Sequence, residues 1–305
     1  MNPDAIAEPH TPERAVAAAI AAASARLARA GVASARLDAE LLMAAAAGIS
    51  RAAVIAGAAG MAGAKQIDAA LLARFERMVA RREAREPLAY IVGQREFFSL
   101  EFAVSPGVLV PRPETETLVE AALDFLDGRS SATVLDIGTG SGAIAIAIAK
   151  NAPAARIVAL DISKVSLENA ADNARRHLCA DRITLVQGDC FPPIDGDGSP
   201  FHLFDLIVSN PPYIAEAAFA TLAPEVRDFE PRIALEGGRD GMDFYRKIAG
   251  GLARWLMRGS EVILEVGAGQ AGAVEAMMHA AGCAARARMR DLAGVERVVR
   301  SRRAL

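Results

Sequence analysis

Cysteine is scarce in this chain of 305 residues: Cys179, Cys190 and Cys283 are the only three, and none share CxxC spacing. That excludes a disulfide framework and a zinc site built on cysteine pairs, and it fits a reducing, cytoplasmic location. The four histidines, His10, His177, His202 and His279, form no metal-ligand spacing, so no metal is expected. No apolar run reaches the ~18 residues of a membrane span. Residues 1–12 contain Asp4 and Glu8 without a long apolar core, which is not the pattern of a secretory leader. A strong basic excess is also missing, since the net charge is −3, and no nucleic-acid motif accompanies the arginines, so direct binding of nucleic acid is not expected.

The length allows one α/β domain and a smaller unit. Residues 1–85 are rich in alanine, with leucine and isoleucine at helical spacing over 14–30, 37–47, 51–56 and 67–85 and with Gly31, Gly48, Gly57, Gly60 and Gly63 between those stretches. Four or five short helices are predicted there, and the residues before Thr11 are expected to be disordered. The segment holds 11 Lys and Arg against 8 Asp and Glu, a net of +3, which leaves −6 for the remainder. Arg74, Arg77, Arg81, Arg82 and Arg85 carry the excess, either as a solvated helix face or as a surface for an acidic partner. Residues 86–110 are expected to join the units: apolar and polar residues alternate over 90–110 around Ser99 and Ser105-Pro106-Gly107, predicting a β-hairpin. Residues 111–305 form the larger domain.

In that larger domain strand-like and helix-like runs alternate, which predicts βα units with strand ends facing one crevice. The run 133–137 leads into Asp136-Ile137-Gly138-Thr139-Gly140-Ser141-Gly142 and an apolar helix over 143–149. Glycines let such a turn bend and approach a ligand, and N–H groups at the helix start favour its polar end. Gly138, Gly140 and Ala143 satisfy GxGxxG/A, so this turn does not separate a nicotinamide cofactor from S-adenosylmethionine. Asp161 closes the next apolar run, 23 residues past Gly138, where a carboxylate can accept from ribose hydroxyls; the alternative is a helix cap. A third run over 183–186 leads to Gly188-Asp189-Cys190, where a carboxylate could meet an adenine amino group or simply sit in a solvated turn.

The fourth run, 204–209, ends in Asn210-Pro211-Pro212-Tyr213. Successive prolines stiffen a turn and remove donors, so the segment is either a strand-terminating turn or a pair of fixed acceptors. The Asn210 side-chain carbonyl and the Pro211 main-chain carbonyl can hold the two hydrogens of a planar amino group, and Tyr213 adds a flat face or a hydroxyl. A dehydrogenase would need a proton donor or acceptor near the hydride, whereas this strand ends in a neutral amide. Methyl transfer to nitrogen fits better.

Several further motifs occur in order: EPLAYIVG at 86–93, Glu96-Phe97, VLVPRPETE at 108–116, the glycine turn, SNPPYI at 209–214, FEPRIAL at 229–235 and DGMDFY at 240–245. Together they resemble the bacterial peptide chain release factor glutamine methyltransferases, from about Glu86 to Arg300. The resemblance implies a Rossmann-like S-adenosylmethionine-dependent methyltransferase with a seven-stranded sheet whose last strand is antiparallel, and a helical domain that contacts the release factor. It implies methylation of the glutamine in the Gly-Gly-Gln loop of class 1 release factors. On this chain, Gly138, Thr139, Gly140, Ser141, Gly142, Asp161, Asp189, Cys190 and Asn210 would meet the cofactor. Asn210, Pro211, Pro212 and Tyr213 would hold the glutamine, with Asn210, Pro211 and Tyr213 as the catalytic set. Where the family often has an aromatic residue against the adenine, this chain has Cys190, and Phe191 is the candidate replacement.

PRPETE reads as structural punctuation before a helix over 114–126 or as a pocket wall through which Arg112 or Glu114 touches the peptide. The related enzymes acting on a large-subunit ribosomal protein diverge here, which favours release factors. Residues 215–241 have few periodic signals and are either a substrate-facing insertion or an inert loop. Toward the carboxyl end, a strand over 261–266, a helix over 271–281 and strands over 284–290 and 296–300 are predicted, with Glu261 and Glu265 as structural acids. The rivals are an adenine amino methyltransferase, which would need a basic groove, and a catalytically silent cofactor-binding scaffold. The chain is expected to act as a monomer.

Overall fold

The computed structural model describes residues 12–57, 69–193 and 203–305. The expected disorder before Thr11, and His10, Gly60, Gly63 and His202, lie outside the described residues. The chain divides into two compact units, Met1–Val92 and Gly93–Leu305.

The first unit is helical: α1 (Pro12–Arg29), α2 (Ala35–Ala47), α3 (Arg51–Ile55), α4 (Ala69–Glu83) and α5 (Leu88–Val92). Its alanines let the helices pack closely around Leu27, Leu42, Met43, Phe75 and Val79, all without solvent exposure. Gly48 ends α2 at φ +68° and Ser50 caps α3 by accepting from Ala53 N–H at 3.2 Å, so the turn chemistry matches what helix ends require. The arginines of α4 and its end divide. Arg82 is buried with Asp38, Nε to Oδ2 2.8 Å, Arg85 donates to the Ala30 and Gly31 carbonyls, and Arg81 pairs with Glu86. Arg74 and Arg77 are exposed.

The second unit opens with a hairpin of β1 (Gln94–Phe97) and β2 (Leu100–Ala103). It is shorter than the expected 90–110 at both ends: residues 88–92 coil into α5, whose Ile91 belongs to the helical core, and β2 stops at Ala103. Phe98 and Ser99 form its loop at φ +52° and +59°, the left-handed pair that suits strand twist. Neither is glycine, and carboxylates hold both amides: Glu116 accepts from Phe98 N–H and Glu96 from Ser99 N–H.

Beyond it lie α6 (Glu116–Leu126), β3 (Ala132–Ile137), α7 (Ala143–Asn151), β4 (Ala155–Asp161), α8 (Lys164–Arg176), β5 (Ile183–Gln187), β6 (Phe204–Ser209), α9 (Pro224–Phe229), α10 (Asp243–Trp255), β7 (Leu256–Glu265), α11 (Ala271–Ala280), β8 (Cys283–Arg290) and β9 (Glu296–Arg303). The seven strands run in the order β5-β4-β3-β6-β7-β9-β8, with β9 antiparallel to both neighbours. Alternate residues of each central strand serve opposite faces: Val134, Leu206 and Val208 pack with α6 and α7, while Leu135, Ile137 and Ile207 pack with α10 and α11. Burial on both faces is why these strands read as continuous apolar runs. Helix α10 has no counterpart among the expected elements, although Tyr245, Ile248, Leu252 and Trp255 form its buried stripe.

Candidate active site

The parallel register decides which strand ends meet. Ile137 pairs with both Leu160 and Ser209, Asp161 with Gln187, and Ser209 with Leu264. Gly188, Asp161, Gly138, Asn210 and Glu265 therefore follow one another along the carboxyl edge, with the strand order reversing between β3 and β6, the usual ligand crevice of such sheets.

One pocket spans this edge. Gly138, Thr139, Gly140, Ser141, Asp161, Asp189, Cys190, Asn210, Pro211, Pro212 and Arg112 line it; Gly142, Tyr213 and Glu114 do not. Gly138 and Gly140 have φ +72° and +57°, and a Cβ at either would meet no atom within 4 Å, so the turn leaves open space a side chain would fill. The turn holds itself: Gly138 and Thr139 N–H donate to Leu160 O, and Gly142 N–H to Thr139 O. Asp161 Oδ2 accepts from Gly140 N–H at 2.9 Å, while Oδ1 accepts from Ser163 N–H. The α8 cap is Ser163, so Asp161 is not that cap and keeps oxygen lone pairs at the pocket; burial raises its pKa. Gly142 serves packing, since a Cβ there would lie 3.2 Å from Ala170 Cβ on α8.

Cys190 lines the pocket, buried at φ +65°, and burial pushes its thiol up to about 12, which leaves it neutral. Phe191 does not replace the missing aromatic: it stacks on Trp255, ring centroids 5.8 Å apart, and does not line the pocket. Phe244 and Lys247 of α10 do line it, and Lys247 Nζ lies 3.0 Å from Asp189 Oδ2.

Ser209 Oγ donates to Ile137 O at 2.7 Å and fixes the end of β6. Asn210 follows, with its Nδ2 3.1 Å from Thr115 Oγ1, and Thr115 Oγ1 is 2.6 Å from Glu265 Oε2. Thr115 and Glu265 are buried, and burial pushes the Glu265 carboxyl up to about 7. Tyr213 lies behind the pocket: its main-chain carbonyl accepts from Gln270 Nε2, and burial pushes its phenol up to about 12. Its neighbours crowd the backbone so closely that a Cβ on Gly241 would sit 2.4 Å from Tyr213 O, which accounts for the glycine of the DGMDFY motif.

Arg112 does reach the pocket, with one nitrogen of its guanidinium engaged by an acid. Glu230, buried at the start of the turn after α9, accepts from Arg112 Nη2 at 2.5 Å and from Val110 N–H at 3.1 Å. This ties residues 215–241 to the PRPETE segment, and Pro231, Ile233 and Ala234 become pocket wall. Glu114 is half-buried in the short turn before α6. Sequence reasoning overlooked Thr115, Glu230, Phe244 and Lys247, and assigned Glu265 the same role as Glu261. Glu261 is indeed paired, with Arg300 and Arg302, whereas Glu265 joins the pocket through a threonine. The available signal was an acid closing an apolar strand opposite Asn210.

Two family models match the chain: the PrmC N-terminal domain over residues 18–93 and the Methyltransferase small domain over residues 114–226. Among curated relatives, the release factor glutamine methyltransferase of Geobacter sulfurreducens is 44% identical over 276 residues, covering 90% of this chain and 92% of the relative. That of Burkholderia pseudomallei is 44% identical, covering 86% and 90%, and that of Caulobacter vibrioides is 37% identical, covering 91% and 93%.

Proposed function

The chain belongs to the release factor glutamine methyltransferase family, and from that premise we propose that it methylates the side-chain amide nitrogen of the glutamine in the Gly-Gly-Gln loop of class 1 peptide chain release factors. It is an S-adenosylmethionine-dependent methyltransferase. The observation that carries the substrate assignment is Asn210, which stands at the end of β6 beside the glycine turn in one shared pocket.

The pocket residues fit S-adenosylmethionine: Gly138 and Gly140 leave open space at the strand edge, and Asp161 offers carboxylate oxygens where ribose hydroxyls would lie. When bound, it supplies a methyl group activated by attachment to a sulfonium sulfur, and the carbon–sulfur electrons stay with the thioether. Asn210 Oδ1 and Pro211 O accept the two amide hydrogens of the glutamine, which steers the nitrogen lone pair and stabilises the positive charge growing on nitrogen. Positioning of this kind accounts for about 7–11 kcal/mol of a barrier. A neutral amide needs no base before attack, so its displaced proton leaves late, to water. Glutamate is rejected because its carboxylate meets two acceptors with no hydrogen to give.

A ribosomal protein substrate is the alternative, and the curated relatives are named for release factors. Among the described residues no helix is long and apolar enough to cross a membrane, and a cytoplasmic monomer that binds no nucleic acid is the simplest setting for this substrate. Incubation of an unmodified class 1 release factor with the protein and S-adenosylmethionine, read by peptide mass spectrometry, tests the assignment. One methyl on the loop glutamine, absent with Asn210→Ala, is expected; methyl found instead on a ribosomal protein would overturn it.

A further inference from the structure

An acceptor built from an amide has a weakness: rotation by 180° about its last torsion replaces the carbonyl with an NH2 group. Asn210 must present oxygen to the substrate, and an inverted amide would offer hydrogens to hydrogens. Main-chain carbonyls such as that of Pro211 cannot invert, so side-chain orientation at Asn210 is the vulnerable part of the site.

The structure contains a chain of partners that settles this orientation. Glu265, at the end of β7 and 1% exposed, has a carboxyl that burial pushes up to about 7, so above that pH it is ionised and only accepts. In that form the Thr115 hydroxyl spends its one hydrogen on Glu265 Oε2 at 2.6 Å. Its oxygen is then left only to accept, and the group facing it, 3.1 Å away, is Asn210 Nδ2. With the NH2 held on the PRPETE side, Oδ1 points the other way. We propose that Thr115 and Glu265 are positioning residues that fix the Asn210 amide with its carbonyl toward the substrate, and so enforce glutamine over glutamate. This rests on the glutamine-methylation assignment above. It also gives the fifth residue of PRPETE a chemical duty that charge and helix-start arguments do not supply.

The orientation chain acts through substrate selectivity, which separates it from a mere packing role. In Thr115→Val the volume is kept but the acceptor is lost, and the amide is free to invert and donate to a carboxylate. The measurement uses full-length protein with two forms of a class 1 release factor, one with the loop glutamine and one with glutamate there. Expected for Thr115→Val is a kcat loss on the order of 10–100-fold, as for a displaced reacting group, with S-adenosylmethionine affinity changed less than about twofold. The preference for the glutamine form over the glutamate form in binding should narrow, and Thr115→Ser should restore both kcat and preference. Should Thr115→Val fail to fold, Glu265→Gln carries the same test, since its amide can donate to Thr115 and release the threonine hydrogen toward Asn210. A variant with unchanged kcat and unchanged preference, or a loss that Thr115→Ser does not repair, overturns the inference while leaving methylation by the wild type intact. Absence of methylation by the wild type overturns the substrate assignment and this inference together.

Discussion

The helical unit and the pocket end of the sheet bury charge in opposite ways. In the helical unit Asp38 is matched by Arg82 at 2.8 Å, and both side chains are under a tenth exposed. At the pocket end, Asp136 and Glu265 are buried with hydroxyl partners, Thr139 and Thr115, and burial pushes each carboxyl up to about 7. The contrast is repeated along β7, where Glu261 has arginine partners and Glu265, four residues on, has a threonine. A paired ion fixes the packing of helices. An acid paired with a hydroxyl costs stability and, once ionised, fixes the direction of one hydrogen, which is what a site needs.

Breaking the paired side gives the largest effect on stability. Arg82→Ala leaves the Asp38 carboxylate buried without its cation, and a loss of about 3–5 kcal/mol is expected in urea unfolding; an Asp38→Leu, Arg82→Leu double variant should recover most of it. On the pocket side, Asn210→Ala should cost about 10²–10³-fold in single-turnover methylation, with little change in unfolding midpoint.

The pH dependence sharpens the contrast. A carboxyl raised by burial from 4.5 to about 7 adds stability below its unfolded value, and that contribution is lost as pH rises through about 7. For Glu265 this amounts to roughly 3 kcal/mol between pH 4.5 and 8 at about 1.4 kcal/mol per unit. Urea unfolding of Glu265→Gln should show a flatter decline over that range than wild type; identical slopes would remove Glu265 as its source. The smallest effect is on the helical surface: Arg74→Ala with Arg77→Ala should leave stability within about 0.5 kcal/mol, and if this face meets an acidic surface of the substrate, KM should rise with added salt more weakly than in wild type.

Much of the fold was legible. Buried strands of a parallel sheet announce themselves as apolar runs, and the predicted runs at 133–137, 183–186 and 204–209 coincide with β3, β5 and β6 to within a residue at either end. Helix α10 went unread although Tyr245, Ile248, Leu252 and Trp255 recur at the spacing of one helix face; Gly250 and Gly251 in its interior are the local signal against it. The hairpin was overdrawn at its start, since the aromatic and β-branched run Tyr90-Ile91-Val92 suits a strand and helical packing of Ile91 overrides it. In the site, glycines and Asn210 were visible because their chemistry is local. Phe191 misled because proximity in sequence to Cys190 does not fix ring direction; Trp255, 64 residues away, draws it off.

By itself the sequence determined the central strands, the glycine turn and the Asn-Pro-Pro-Tyr turn, because each depends on residues within a few positions of one another. Only tertiary structure decided that Glu265 differs from Glu261, that Arg112 belongs to Glu230, and that Thr115 turns the amide of Asn210. Those outcomes depend on tertiary packing, which brings together residues separated by up to 150 positions and which no local pattern encodes.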